Sequence, residues 1–245
     1  MVIGVVPARL DSKRLPKKIL ASLDGKPMVA HTMERALAAK KLDRVILAID
    51  SEETKEVLKD FNYEMIMTSK KHLSGTDRVA EVAQVIKEGK IFINIQGDEP
   101  LLDPNVIDGL VDKFQDNSIE MATVVSRKLT VSDLLNPNIV KAILDEKMNA
   151  VEFKRNIFDL EIGGVYRHVG MYGYRRNTLF QFTMLDSSVR ELDRSLEQMR
   201  ALDNHIPIRA FITASDNWAI DTDEDLQKVK QLIENSVKED NESIV

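Results

Sequence analysis

The densest chemistry in this chain is a run of cations near its start. Arg9, Lys13, Arg14, Lys17 and Lys18 stand against the single acid Asp11, a local charge of +4 in a protein of net charge −6. A solvated charged loop would account for such a run. The loop also follows the apolar stretch Val2–Val6, and a strand's carboxyl end is where open α/β sheets bind ligands. Guanidinium and ammonium groups there suit a transferring phosphoryl group and a departing pyrophosphate. The loop has neither the GxxxxGK[ST] nor the GxGxxG pattern, which weighs against kinases, ATPases and dehydrogenases.

A second concentration, Gln96-Gly97-Asp98-Glu99-Pro100, leaves the apolar run Ile91–Gln96. A carboxylate fixed there by glycine and proline is a ligand for a hard cation. Mg²⁺ takes one or two carboxylates and completes its shell with water and phosphate oxygens. The plainer reading is an ordinary turn with a capping aspartate. Asp221, just before the last helix, is the expected partner. Two remote carboxylates and a cationic loop together describe Mg²⁺-assisted phosphoryl or nucleotidyl transfer. A third element, Leu73-Ser74-Gly75-Thr76-Asp77-Arg78, opens a helix, where serine or threonine is an N-cap and free N–H groups also suit a nucleobase or phosphate. The four histidines, His31, His72, His168 and His205, lack ligand spacing, so no zinc site is expected. His31 and His205 read as structural.

The elements that must position these residues alternate through the first half. Strands are expected at Val2–Val6, Arg44–Asp50, Glu64–Met67 and Ile91–Gln96. Helices are expected at Pro27–Ala39, Ser51–Phe61, Gly75–Lys87 and from Asp103-Pro104 to Gln115. That alternation predicts parallel βαβ units and a doubly wound α/β sheet. Met121–Ser126, Ile139–Leu144 and Val165–Tyr174 read as strands with fewer helices between them, so mixed pairing is expected. Val189, Leu192, Leu196, Met199 and Leu202 predict one amphipathic helix. A strand at Ile206–Thr213, a helix at 222–236 and a frayed tail at 237–245 complete the reading.

The composition of the 245 residues is globular, with 43% hydrophobic and 30% charged residues. A single domain of this size needs no disulfide or structural metal to hold its core. Zero cysteines exclude disulfides, thiolate metal sites and cysteine nucleophiles. The 34 basic against 40 acidic residues argue against a nucleic-acid partner. No apolar run reaches the ~20 residues of a membrane span, and the opening residues lack a signal peptide's charge and long apolar core. A cytoplasmic protein is expected.

Taken together the motifs resemble the 3-deoxy-manno-octulosonate (Kdo) cytidylyltransferase family, also called CMP-Kdo synthetase. The resemblance rests on Pro7-Ala8-Arg9 with Arg14-Leu15-Pro16-Lys17-Lys18, Ser74-Gly75-Thr76-Asp77-Arg78, Gln96-Gly97-Asp98-Glu99-Pro100, Arg167-His168-Val169-Gly170-Met171-Tyr172-Gly173-Tyr174 and Leu196-Glu197-Gln198-Met199-Arg200. It runs in order from Met1 to about Ile233. It implies an α/β nucleotidyltransferase (Rossmann-like) mixed sheet flanked by helices. The nucleotide part would cover 1–120 and a smaller sugar-binding and dimerisation part 121–215. The implied reaction joins CTP to Kdo with Mg²⁺ and releases pyrophosphate, for lipopolysaccharide synthesis, in a homodimer. By motif, Arg9, Arg14 and Lys18 meet the triphosphate, Lys18 standing in the place of the family's catalytic lysine. Asp98 and Asp221 hold Mg²⁺. Ser74, Gly75, Thr76, Arg78 and Gln96 line the cytidine side, and His168, Tyr172, Glu197 and Gln198 face the sugar.

The chain departs from the family pattern at several places. Lys17 stands where the family has glycine, and Leu73 where it has glutamine. Phe153-Lys154-Arg155 replaces a phenylalanine-serine-arginine segment, the stretch 156–166 is shorter than usual, and Trp218 stands in an unusual place. The family includes members that use 8-amino-8-deoxy-Kdo, and the sugar-side departures imply either that modified sugar or drift around a Kdo pocket. An amine would favour acidic neighbours, with Glu197, Glu152 and Asp193 as candidates. Two other readings stay open: a nucleotidyltransferase for another acid sugar such as sialic acid, and a non-catalytic Rossmann-like nucleotide-binding protein.

Overall fold

A computed structural model describes residues 1–12, 14–158, 163–216 and 219–242, with side chains through residue 235. Lys13, Trp218, residues 159–162 of the shortened stretch and the last three residues of the expected tail lie outside the described residues. Strand β1 (Val2–Ala8) leads through the cationic loop and a 3₁₀ turn at Lys18–Leu20 into a small hairpin of β2 (Ser22–Leu23) and β3 (Lys26–Pro27). Helix α1 (Met28–Leu37), β4 (Arg44–Ile49), α2 (Glu52–Val57), β5 (Met65–Met67), α3 (Gly75–Val85), β6 (Ile91–Asn94) and α4 (Pro104–Lys113) follow. The second half contains β7 (Met121–Ser126), α5 (Val131–Leu134), β8 (Lys141–Leu144), β9 (Ala150–Lys154), β10 (Val165–Arg175) and α6 (Arg176–Met184). It closes with α7 (Val189–Arg194), α8 (Met199–Asp203), β11 (Ile208–Thr213) and α9 (Asp223–Glu242).

Local chemistry explains where the helices begin. The Ser51 side chain accepts from the Glu53 N–H at the start of α2, and Asp103 accepts from Asn105 N–H with Pro104 leading α4. Ser74 and Asp77 form a reciprocal capping box on α3. The strands are continuous apolar runs because both sheet faces are covered. Val79, Val82, Leu179 and Phe182 from α3 and α6 pack on one face, and Val29, Met33, Val106 and Leu110 from α1 and α4 on the other.

The nine-stranded sheet has the path β11-β7-β10-β6-β1-β4-β5, with β8 on β10 and β9 on β8. β6, β1, β4 and β5 are parallel, as the alternation predicts. β10 runs antiparallel between β6 and β7, and β11 is parallel to β7. The result is the mixed sheet flanked by helices that the resemblance implies. Strands from both halves are bonded into one sheet, since β10 from the second half pairs directly with β6 from the first. The order reverses around β1, whose neighbours are β4 and β6, and this leaves a crevice beyond their carboxyl ends. A separate small core of Leu15, Leu23, Met28, Ile220, Leu226 and Val229 pins the end of the cationic loop to α9.

Several elements differ from the sequence reading. The hairpin β2–β3, the short helix α5, the strand β9 and the helix α6 were not expected. The single helix expected over 189–202 is two short ones, α7 and α8. Ser195 adopts a left-handed conformation at φ 52°, and the Leu196 N–H turns back to Glu191 O to close α7. Val189 and Leu192 are consequently exposed, while Leu196 and Met199 enter the core. The last helix continues to Glu242, through residues read as a frayed tail.

Candidate active site

The crevice is built from backbone outwards. Asp50, the residue after β4, accepts from the Leu10 N–H at 2.9 Å, which holds the start of the cationic loop. Its other oxygen accepts from Arg78 Nη2 at 3.0 Å, and Arg78 Nη1 also donates to Thr68 Oγ1. Arg78 is 3% exposed, so this is a buried, fully engaged ion pair between β4 and α3. Gly97 follows from close packing, because a Cβ there would stand 2.9 Å from the carbonyl oxygen of Pro7. The Ile220 N–H donates to Asp98 O at 2.9 Å, a single backbone bond that carries Asp221 beside Asp98. Asp225 then fixes Asp221 by accepting from its N–H.

The two carboxylates converge on one ammonium. Lys18 Nζ lies 2.5 Å from Asp98 Oδ2 and 2.9 Å from Asp221 Oδ1, and Arg14 Nη2 lies 2.9 Å from the same Asp221 oxygen. Burial disfavours the Lys18 ammonium, but Asp98 and then Asp221 outweigh it, so its pKa is raised above the usual lysine value. Lys18 is therefore fully charged at neutral pH. Among the described residues no group of three or more His, Cys, Asp or Glu side chains could enclose a metal. Two carboxylates that converge on one cation, here the Lys18 ammonium, nonetheless fit Mg²⁺, whose remaining ligands are substrate and water oxygens.

A cleft of about 670 Å³ opens over this cluster. Arg9, Arg14, Lys18, Ser74, Gly75, Arg78, Gln96, Asp98 and Asp221 all line it, so the structure brings together nearly every residue assigned to nucleotide and metal. Thr76 is the exception. It is 1% exposed and its hydroxyl donates to Glu197 Oε2 at 2.9 Å, because its position in α3 turns it towards the sheet rather than the cleft.

The residues assigned to the sugar are placed differently. Glu197 lines a second hollow of about 550 Å³ with Asp77, Asp186, Glu191 and Arg200, separated from the first by Leu73 and Ser74, which line both. Burial raises the Glu197 pKa against the opposing Ser74 and Thr76 hydroxyls and Arg200, and its Oε1 is buried without a well-formed hydrogen bond. His168 Nε2 meets the Tyr172 hydroxyl at 3.0 Å and the Thr123 hydroxyl at 3.1 Å. Burial drives the His168 pKa down to about 3, so the ring is neutral. His168, Tyr172 and the buried Gln198 line neither hollow. The other two acidic candidates for an amine line neither hollow. Glu152 is held by Arg190 and Arg194, and the Asp193 side chain lies on an exposed position of α7.

Sequence reasoning missed Asp50, Thr123 and His72. Asp50 ends a strand just as Asp98 follows one, and that parallel was a usable signal. His72 lines the cleft and pairs with Glu81 from nine residues on, which spacing alone does not reveal.

Over residues 3–244 the chain matches the family model described as cytidylyltransferase. It belongs to the cytidylyltransferase family. Its similarity to 3-deoxy-manno-octulosonate cytidylyltransferases, and so its membership among them, is equally broad. It is 40% identical to the one from Thermodesulfovibrio yellowstonii, covering 95% of this chain and 98% of that one. To the one from Geobacter sulfurreducens it is 38% identical, over 93% and 97%. The solved structure of a CMP:2-keto-3-deoxy-manno-octonic acid synthetase complexed with CTP superposes with a TM-score of 0.90 at 34% identity, over 96% of this chain and 99% of that one. A 4-diphosphocytidyl-2C-methyl-D-erythritol synthase from Anaerococcus prevotii, 14% identical with a TM-score of 0.65 over 95% and 96%, shares the fold alone. This cytidylyltransferase is thus a nucleotidyltransferase enzyme, and the reading as a non-catalytic nucleotide-binding protein falls away. Among the described residues no helix is long and apolar enough to cross a membrane.

Proposed function

We propose that this cytidylyltransferase joins CTP to Kdo, releasing pyrophosphate and forming the CMP-sugar. The observation that carries the reading is the Lys18 ammonium between Asp98 and Asp221, at the mouth of the cationic loop. The anomeric hydroxyl of the sugar attacks the α-phosphorus of CTP in line. The new phosphorus–oxygen bond forms as the bond to the bridging oxygen of pyrophosphate breaks, and the hydroxyl proton passes to solvent. Asp98 and Asp221 would hold Mg²⁺, which supplies charge neutralisation and acidifies a hydroxyl it binds. Arg9, Arg14 and Lys18 bring positive charge to the phosphates as negative charge shifts onto the leaving group. The Asp50–Arg78 pair holds the loop that carries these cations.

On the sugar side, Glu197 offers a buried oxygen without a well-formed bond, which accepts from a sugar hydroxyl or an ammonium. That oxygen and the acidic lining of the second hollow are what favour 8-amino-8-deoxy-Kdo as a second reading of the acceptor. The exposed apolar side chains Val131, Leu135 and Phe158 support a homodimer. We place the reaction in the cytoplasm, ahead of lipopolysaccharide assembly.

The test is pyrophosphate release from CTP and Mg²⁺ with Kdo and 8-amino-Kdo offered in parallel. Release with either sugar, abolished without Mg²⁺, is expected. Faster release with the amino sugar selects the second reading. Release with sialic acid alone would replace the acceptor altogether.

A further inference from the structure

His72 has no part in the chemistry above, yet its side chain lines the cleft and is 23% exposed. It stands on the loop before α3, beside Leu73, Ser74 and Gly75. That wall carries none of the cations that face the phosphates. Its Nε2 lies 2.5 Å from Glu81 Oε2, and the same oxygen accepts from the Ser69 N–H at 2.8 Å. Burial works against the Glu81 carboxylate, but the Ser69 N–H, His72 and Arg78 outweigh it and lower its pKa, so it is ionised at neutral pH.

An ionised carboxylate can only accept, so Nε2 must carry the ring proton. When the ring holds this single proton, Nδ1 is an acceptor, and no hydrogen bond occupies it among the described residues. His72 lines the cleft, and an acceptor in its wall discriminates between pyrimidines. Cytosine presents the N4 amine, a donor, where uracil presents O4, an acceptor.

We infer that His72, with its tautomer fixed by Glu81, is a base-discriminating residue that accepts from the exocyclic amine of cytosine and disfavours uracil. This rests on the reading of the cleft as a CTP site. The competing role is a simple pin, in which the His72–Glu81 bond only fastens the loop to α3. A pin affects every nucleotide alike. A base reader changes the ratio between them.

The experiment compares kcat/KM for CTP and UTP, with Kdo and Mg²⁺ saturating, in the wild type, His72→Phe and Glu81→Gln. Turnover of CTP by the wild type keeps the underlying reading, and its absence with every sugar removes that reading and this inference together. Given that turnover, His72→Phe is expected to lower the CTP:UTP ratio by about tenfold or more, since a site built around one hydrogen bond rejects the partner that lacks it. The loss falls on CTP, with the KM for the sugar unchanged. Glu81→Gln keeps an acceptor for Ser69 but replaces the charge, and a smaller fall in the same ratio is expected. Equal losses with CTP and UTP, or an unchanged ratio, in His72→Phe would overturn the assignment. If that variant does not fold by circular dichroism, an unchanged ratio in Glu81→Gln overturns it instead.

Discussion

The two sides of this active site are built on opposite principles. On the nucleotide side, charged groups from the loops after β1 and β6 and from the segment before α9 meet at an open cleft, where Arg14 and Lys18 already face carboxylates. On the side assigned to the sugar by motif, His168 shares hydrogen bonds with Tyr172 and Thr123 in the sheet, while Glu197 lines the second hollow and accepts from Thr76. The first arrangement works through charge that substrate and metal can rearrange. The second works through desolvation, which keeps His168 neutral and raises the Glu197 pKa. Substitutions on the first side should change chemistry with little effect on stability, and those on the second should change stability and its pH dependence.

The largest expected effect tests the charged side. Asp98→Asn should lower kcat by about 10²–10³-fold or more, the scale of losing one preorganised electrostatic contact at a reacting phosphate. The thermal melt should stay close to the wild type, because Lys18 keeps Asp221. Normal turnover in that variant would remove Asp98 from the mechanism.

Asp50→Ala breaks the pattern deliberately, since this pair serves the cleft but is buried. Stranding the Arg78 guanidinium should cost about 3–5 kcal/mol, measured by urea unfolding, together with a raised KM for CTP as the loop loosens. A loss below about 1 kcal/mol would place the pair among weak surface contacts.

The sugar side is sharpened by pH. The His168 pKa lies near 3 in the folded protein and at about 6.5 in an unfolded chain, so the unfolded state binds the extra proton between those values. Stability contributed by the neutral ring is fully present above pH 6.5 and is lost as pH falls towards 3, at up to about 1.4 kcal/mol per pH unit. His168→Gln should remove that slope from the pH dependence of unfolding. An identical slope in wild type and variant would show that the ring charges freely.

The smallest effect belongs to Lys17, which holds a left-handed conformation at φ 52° that glycine adopts without strain. Its ammonium pairs with Glu53 at 2.6 Å, both largely exposed, so the pair offsets little of that strain. Lys17→Gly should shift stability by no more than about 1 kcal/mol, and Lys17→Ala, which keeps the strain and loses the pair, should be the less stable of the two. The reverse order in differential scanning calorimetry would assign the loop's shape to the ion pair.

The parallel half of the fold was legible because strands covered on both faces are apolar throughout and helices announce themselves with caps at Ser51, Ser74 and Asp103. The second half was less so. β9 carries a mixed sequence paired with the neighbouring β8, α6 packs on the distant α3, and the apolar spacing from Val189 to Leu202 suits a continuous helix as well as a broken one. Only packing decides, through Arg200 on Glu191 and over Phe182 and through the turn at Ser195. The charged cleft was legible for a related reason. Like charges crowded into one loop need an external counter-charge, and short motifs report that need locally.

The sequence by itself determined the parallel strands, the cationic loop, the capped start of α3 and the carboxylates at Asp98 and Asp221, because each depends on residues near one another in the chain. Tertiary structure alone decided that Lys18 stands between those carboxylates, that Thr76 turns from the cleft to Glu197, that Asp50 holds Arg78, and that Glu81 sets the proton on His72. Each of these is a pairing across distant segments or distinct elements. Its outcome depends on distance and burial, and neither is written in local composition.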